Sequence, residues 1–171
     1  EFVTDQGKKY QHIIRINGLR ADHSYEYRIN DGEDYTAWET FHTDNGVRTK
    51  ALIFPDSQSV DYGLWARTVR MAWGKNPDAQ FFINMGDLVD NGEQYWQWAR
   101  WLEAVDGMIE KIPLAPISGN HEDYTLDWKM TDPHTYLNLF TLPTNEIEGF
   151  NEYFSSGDYG DVHFTVTDTQ K

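Results

Sequence analysis

The chain of 171 residues contains no cysteine, which excludes a disulfide framework and a thiolate metal site and leaves the redox compartment open. Positive charge is also scarce. Lys and Arg number 14 against 28 Asp and Glu, so the net charge of -14 repels polyanions and argues against nucleic-acid binding through a basic patch. No apolar run approaches the roughly 20 residues that cross a bilayer, and the opening Glu1-Phe2-Val3-Thr4 has no signal-peptide pattern. No membrane span is expected.

Aromatic residues are plentiful, with Trp 7, Tyr 10 and Phe 9. They supply a packed core and would equally suit a carbohydrate-binding surface. The acidic excess carries its own implication. Such a protein binds phosphate esters when divalent cations supply positive charge locally, and carboxylates are what hold those cations.

Three apolar runs each end in a hard oxygen donor on a sharp turn. Asp56 follows Ala51-Leu52-Ile53-Phe54-Pro55. Gly86-Asp87-Leu88-Val89-Asp90-Asn91-Gly92 follows the run from Ala79 to Met85, and Gly119-Asn120-His121-Glu122 follows the run from Ile112 to Ile117. Between the runs, Val60, Leu64, Val69, Ala72 and Trp73 recur at near-helical spacing, which predicts a helix over 60–74 stopped by Asn76-Pro77-Asp78. Trp98, Leu102, Val105 and Ile109 predict a second helix over about 93–110. Pro113 and Pro116 are awkward for a central strand.

A strand-helix-strand-helix-strand series forces a parallel sheet, and ligands collect at the carboxyl ends of such strands. Asp56, Asp87 and Asn120 all fall there, 31 and 33 residues apart. Successive units therefore deliver their polar ends to one rim. Carboxylate and amide oxygens suit Mg, Mn, Fe or Zn, and a carboxylate shared between two ions is the device of two-metal hydrolases. A histidine beside the amide donor is placed to neutralise developing charge or to protonate a leaving oxygen.

Ahead of this region, residues 1–9 are polar and read as a frayed lead-in. The segments 11–16, 24–29 and 36–43, separated by Asn17-Gly18 and Asn30-Asp31-Gly32, read as antiparallel strands. Three strands are too few to close a sandwich of about 7, so the N-terminal module reads as partial, with a boundary near residues 44–49. His12, Leu19, Tyr25, Tyr27, Arg28 and Phe41-His42-Thr43 resemble the last strands of the fibronectin-III-like domain that precedes the catalytic domain in purple acid phosphatases and their bacterial relatives.

The three turns, in their order and spacing, resemble the first three motifs of the calcineurin-like metallophosphoesterase superfamily. The resemblance covers about residues 48–171. It implies an α/β fold, the N-terminal half of an αββα sandwich built of β-α-β-α-β units with parallel strands over 46–171, preceded by a partial fibronectin-III-like domain over 1–45. By position it implies that Asp56 binds the first of two divalent metal ions, Asp87 bridges both, Asn120 binds the second, and His121 assists the leaving group. The implied reaction is hydrolysis of a phosphate monoester or diester by metal-activated hydroxide.

Departures from the family pattern are equally specific. Gln58 stands where many members carry a histidine ligand, and Asp90 stands where purple acid phosphatases carry the tyrosine that colours their iron. The resemblance thus points to a colourless relative, with Gln58 as a weaker ligand or a partner behind the ligands, and Asp90, with Asn91, orienting His121 or a metal-bound water or bracing the loop. Two further histidine motifs are implied after Tyr153–Thr169, a segment that resembles the hairpin opening the second half of the catalytic domain. On this reading the chain is truncated at both ends, inactive in isolation for lack of those histidines, and prone to self-association through an uncovered sheet edge. An extracytoplasmic location, secreted, periplasmic or in the cell envelope, is implied in the same way.

Each residue has a plainer reading. An Asp or Asn after a strand is commonly a turn residue or helix cap. Glu122 reads as a cap or a group behind the ligands, and His12, His23, His42, His134 and His163 read as ordinary strand or turn residues. Trp96, Trp98 and Trp101 are spread around a helix, which favours core over sugar platform. The rival function is a non-catalytic, aromatic-rich cell-surface or carbohydrate-binding module with a degenerate phosphoesterase site.

Overall fold

A computed structural model describes residues 1–168 of the chain. The lead-in is not frayed. β1 (Phe2–Thr4) pairs antiparallel with β2 (Gly7–Lys9), and the hairpin is tied down by Asp5, whose carboxylate accepts the Tyr95 N–H at 2.9 Å. Phe2 packs 6.5 Å from the Tyr95 ring and the Lys9 ammonium lies 4.5 Å over it. Polar strands of this kind are fixed by partners distant in sequence, which alternation does not reveal.

The strand expected over 11–16 does not form. Residues 10–20 have no regular structure, and Ile13, Ile14 and Ile16 are more than half exposed. The β-branched residues there find no neighbouring strand to pair with. β3 (Ser24–Tyr27) and β4 (Glu39–His42) do pair antiparallel, Tyr25 opposite Phe41 with ring centroids 5.6 Å apart. The Tyr27 hydroxyl donates to the Glu110 carbonyl at 3.0 Å, joining this hairpin to the region that follows.

The expected α/β core is present. β5 (Ala51–Phe54), β6 (Phe81–Met85) and β7 (Leu114–Ile117) form a parallel sheet in the order β5-β6-β7. β6 is central and is buried from Phe81 to Asn84, as its unbroken apolar run requires. Pro116 is tolerated because β7 lies at the edge of this three-stranded sheet, where its carbonyl accepts the Tyr136 hydroxyl at 3.0 Å.

α1 (Tyr62–Lys75) starts at Asp61, whose side chain accepts the Gly63 N–H, and ends at Asn76. Its buried face is Tyr62, Trp65 and Val69, whereas Val60 and Leu64 are exposed. The helix is thus turned from the face that aliphatic spacing alone predicts. Trp65 decides the rotation, packing edge-on to Phe54 at 5.2 Å and stacked on Trp101 at 6.3 Å. α2 (Tyr95–Val105) is shorter than expected, with Trp98, Trp101, Ala104 and Val105 in the core and Trp96 at its margin.

After β7, α3 (His134–Leu139) places Tyr136 in the core, so His134 opens a helix rather than lying in a turn. The expected C-terminal hairpin is β8 (Ser155–Tyr159) with β9 (Val162–Val166). It covers the opposite face of the sheet from α1 and α2, with Tyr159 and Phe164 against Phe81 at 5.1 and 5.0 Å. Ile53 and Met85 remain half exposed. Thr169, the last residue of the resembling segment, lies outside the described residues.

Candidate functional site

The three strands end on one rim, and the backbone there is bent in ways ordinary side chains resist. Asp56 and Asp87 both sit in the left-handed region, at φ 45° and 51°, a conformation costing about 1–3 kcal/mol for a residue other than glycine. Their turns are cross-linked: the Asp56 N–H donates to the Gly86 carbonyl at 3.3 Å and the Gln58 N–H to the Asp87 carbonyl at 2.9 Å. The turns after β6 and β7 meet backbone to backbone. A Cβ at Gly119 would lie 2.2 Å from Asp87 Oδ1 and 2.6 Å from its nitrogen, so only glycine permits this approach.

One buried carboxylate closes the arrangement. Glu122 is 2% exposed. Its Oε2 accepts the N–H of Asp87 at 2.9 Å and of Gly119 at 2.7 Å, while Oε1 accepts those of Leu88 at 2.8 Å and Val89 at 3.1 Å. Burial pushes this carboxyl up to about 8, against the pull of its backbone donors toward the charged form. Glu122 is thus neither a helix cap nor a free ligand. It binds the turn after β6 to the turn after β7.

The side chains held by this clip converge in part. Asp87 Oδ1 accepts the His121 N–H at 3.1 Å, and Oδ2 accepts Gln58 Nε2 at 3.4 Å. Asn120 Nδ2 donates to the Tyr124 hydroxyl at 3.2 Å, leaving its Oδ1 as the acceptor end of the amide. His121 Nδ1 lies 2.7 Å from the Asp90 carbonyl oxygen and 3.6 Å from the Asp90 carboxylate. A carbonyl only accepts, so Nδ1 carries the proton and Nε2 is the ring nitrogen directed elsewhere. Asp90 therefore meets His121 chiefly through its main chain.

Asp56 joins the group through its backbone; it is exposed and, with Gln58, lines a cleft of about 200 Å³ beside Leu64 and Trp65. Asn91 is fully buried and donates to the Thr125 carbonyl at 2.7 Å, which fits loop bracing. Two contributors escaped the sequence reading. Tyr124 orients Asn120, and only its place four residues on in the same loop pointed to it. The reach of Glu122 back across 35 residues has no local signature.

The donors fit divalent cations as far as they go. Gln58 Oε1 is buried with no hydrogen-bond partner, an orphaned acceptor beside the Asp87 carboxylate. Asp56, Asp87, Gln58 and Asn120 are all hard oxygen donors, the set that Mg, Mn or Ca prefers. Two are amides, and among the described residues there is no group of three or more His, Asp or Glu able to hold a metal ion. The shell these residues supply is partial.

The sequence profile of the calcineurin-like phosphoesterases matches residues 26–169. The chain belongs to that family. The fold of this chain is similar to that of the purple acid phosphatase PPD1 from yellow lupin (Lupinus luteus) seeds, with a TM-score of 0.66 at 16% identity. The similarity covers 87% of this chain and 30% of the lupin protein, so the chain spans under a third of that protein's length. None of the curated proteins compared matches the chain in sequence.

Proposed function

We propose that this rim is the ligand and proton-donor part of a metal-dependent site that hydrolyses phosphate esters. The observation that carries the reading is the convergence of Asp87, Gln58 and the 119–121 turn under the Glu122 clip. Asp56, Asp87 and Gln58 would hold one divalent ion, and Asp87 with Asn120 a second. Such ions, when bound, polarise a phosphoryl oxygen and make water more acidic.

The chain's own residues account for the rest. In hydrolysis a water oxygen forms the new bond to phosphorus, the ester P–O bond breaks, and its electron pair leaves on the ester oxygen, which needs a proton. His121 supplies it from Nε2 in its doubly protonated form, while the Asp90 carbonyl fixes the ring through Nδ1–H. Tyr124 turns the Asn120 amide so that oxygen rather than nitrogen faces the site. Two carboxylates and two amides bind divalent ions weakly, so residues 1–171 alone are expected to turn over slowly or not at all.

One observation favours a second reading, a binding module with a degenerate site: the absence of a three-residue His, Asp or Glu cluster among the described residues. Mn²⁺ titration separates the two. Paramagnetic broadening centred on Asp87 and Asn120, lost in Asp87→Ala, together with any p-nitrophenyl phosphate hydrolysis being abolished by that substitution, supports the phosphoesterase site. No broadening at the rim in the unaltered protein would defeat it.

A further inference from the structure

Outward from His121 the aromatic packing continues to solvent. Tyr124 stands edge-on to the imidazole, centroids 5.3 Å apart at 84°. On Tyr124, in turn, lies Trp128, 5.6 Å away and 52% exposed. These rings ride on a short hairpin. The Thr131 N–H donates to the Asp123 carbonyl, and the Thr125 N–H to the Lys129 carbonyl, each at 2.8 Å, with Tyr124 bridged to Met130.

The hairpin is anchored to the same loop that supplies Asp87 and Asp90. Buried Asn91 donates to the Thr125 carbonyl at 2.7 Å, and the Leu126 N–H donates to Glu93 Oε2 at 2.9 Å. Its tip is apolar and wet: Leu126 and Met130 are, like Trp128, about half exposed. Trp128 also holds φ 60°, a genuine outlier for a bulky residue. An indole kept half in water, on a strained turn, two ring contacts from the imidazole contributes little to the core. It is well placed to contact whatever departs toward His121.

We infer that Trp128, backed by Tyr124, is the platform for the leaving group, and that the preferred substrates are phosphate esters of flat aromatic alcohols. The inference rests on the phosphoesterase reading, because His121 delivers its proton to the leaving oxygen and so fixes the side on which that group sits. A flat ring stacks on an indole irrespective of its substituents. An alkyl leaving group gains no such contact. Trp128 is a specificity-determining residue, outside the ligand set.

The test uses the chain as it stands, with and without Mn²⁺. Without metal, phenol is titrated and the Trp128 indole N–H followed by NMR; with metal, hydrolysis of p-nitrophenyl phosphate is compared with that of β-glycerophosphate. Phenol is expected to shift the Trp128 signal. Trp128→Ala is expected to raise KM for the aryl ester about fivefold, leaving kcat and the β-glycerophosphate KM unchanged. Trp128→Phe should retain most of the preference, and Trp128→Asn, tolerant of the left-handed turn, should reproduce the alanine result if the ring is what matters.

Hydrolysis with no aryl preference in KM, or a KM preference that survives Trp128→Ala, overturns the platform and leaves the phosphoesterase reading intact. A Trp128 shift by phenol in a chain that hydrolyses neither ester supports the aromatic site and leaves the phosphoesterase reading to the Mn²⁺ titration at the rim, since slow or absent turnover is expected of residues 1–171. Absence of a phenol shift overturns the platform whether or not either ester is hydrolysed, and absence of Mn²⁺ broadening at Asp87 and Asn120 separately overturns the phosphoesterase reading.

Discussion

Glu122 Oε2 accepts the backbone N–H of Asp87 at 2.9 Å, from a residue 35 positions later in the chain and on a different turn. Together with its three other amide contacts, this carboxylate determines where Asp87 stands relative to Asn120 and His121.

Replacing Glu122 by Gln keeps the shape but sets an NH₂ group against two of the four backbone donors. Unsatisfied buried donors cost about 1–3 kcal/mol each, so Glu122→Gln should lose roughly 2–6 kcal/mol in urea denaturation above about pH 8, where the parent carboxyl is charged. It should also loosen the rim, seen as lost amide protection at Asp87, Leu88 and Val89. A variant within about 0.5 kcal/mol of the parent would mean the clip is dispensable.

The glycines of the rim separate local strain from ordinary helix propensity. Gly119→Ala drives a methyl into Asp87 backbone and carboxylate, and should unfold the site or the chain. Gly74→Ala, on α1 with nothing within 4 Å of the added carbon, should instead stabilise by roughly 0.5–1 kcal/mol. Thermal melts of the pair provide the contrast; equal effects would contradict the close approach of the two turns.

The layout of the rim was legible because it is written in local terms: an apolar run too short for a helix, then a hard oxygen donor, preceded by glycine in two of the three turns. Parallel pairing of β5, β6 and β7 followed from repetition of that unit with helices between. What escaped notice depends on partners far along the chain. The β1–β2 hairpin is held by Tyr95, the face of α1 is chosen by Trp65 finding Phe54 and Trp101, and residues 11–16 carry the strand formers Ile13, Ile14 and Ile16 with no strand to meet. At the site, donor types could be named from sequence, whereas the Asp90 contact through a carbonyl could not.

Glu110 gives a pH signature away from the rim. Burial is the main reason its carboxyl lies above its ordinary value of 4.5, and a hydrogen bond shared with Asp106 adds to the shift. The folded chain therefore holds this proton more tightly than the unfolded chain. Its contribution is fully present below 4.5 and is lost as pH rises through the raised folded value. Glu110→Gln should remove that downward slope, so melting temperatures of parent and variant should diverge on going from pH 4 to pH 8, with the parent falling further. Parallel curves would show that Glu110 titrates alike in both states.

Gln58 offers the sharpest test of what its orphaned oxygen is for. Oε1 is buried without a partner beside Asp87, an arrangement that costs stability unless water or a cation completes it. If a cation does, Gln58→His should exchange a hard oxygen for an imidazole nitrogen and tilt selectivity from Mn²⁺ toward Zn²⁺, because nitrogen donors favour the later metal. Calorimetric titration of both ions against parent, Gln58→His and Gln58→Ala reads this directly. Gln58→Ala should weaken both ions while raising or preserving the metal-free melting temperature, since it removes the unpaired group. If all three proteins bind the two ions alike, Gln58 faces water and the first ion loses one of its three proposed ligands.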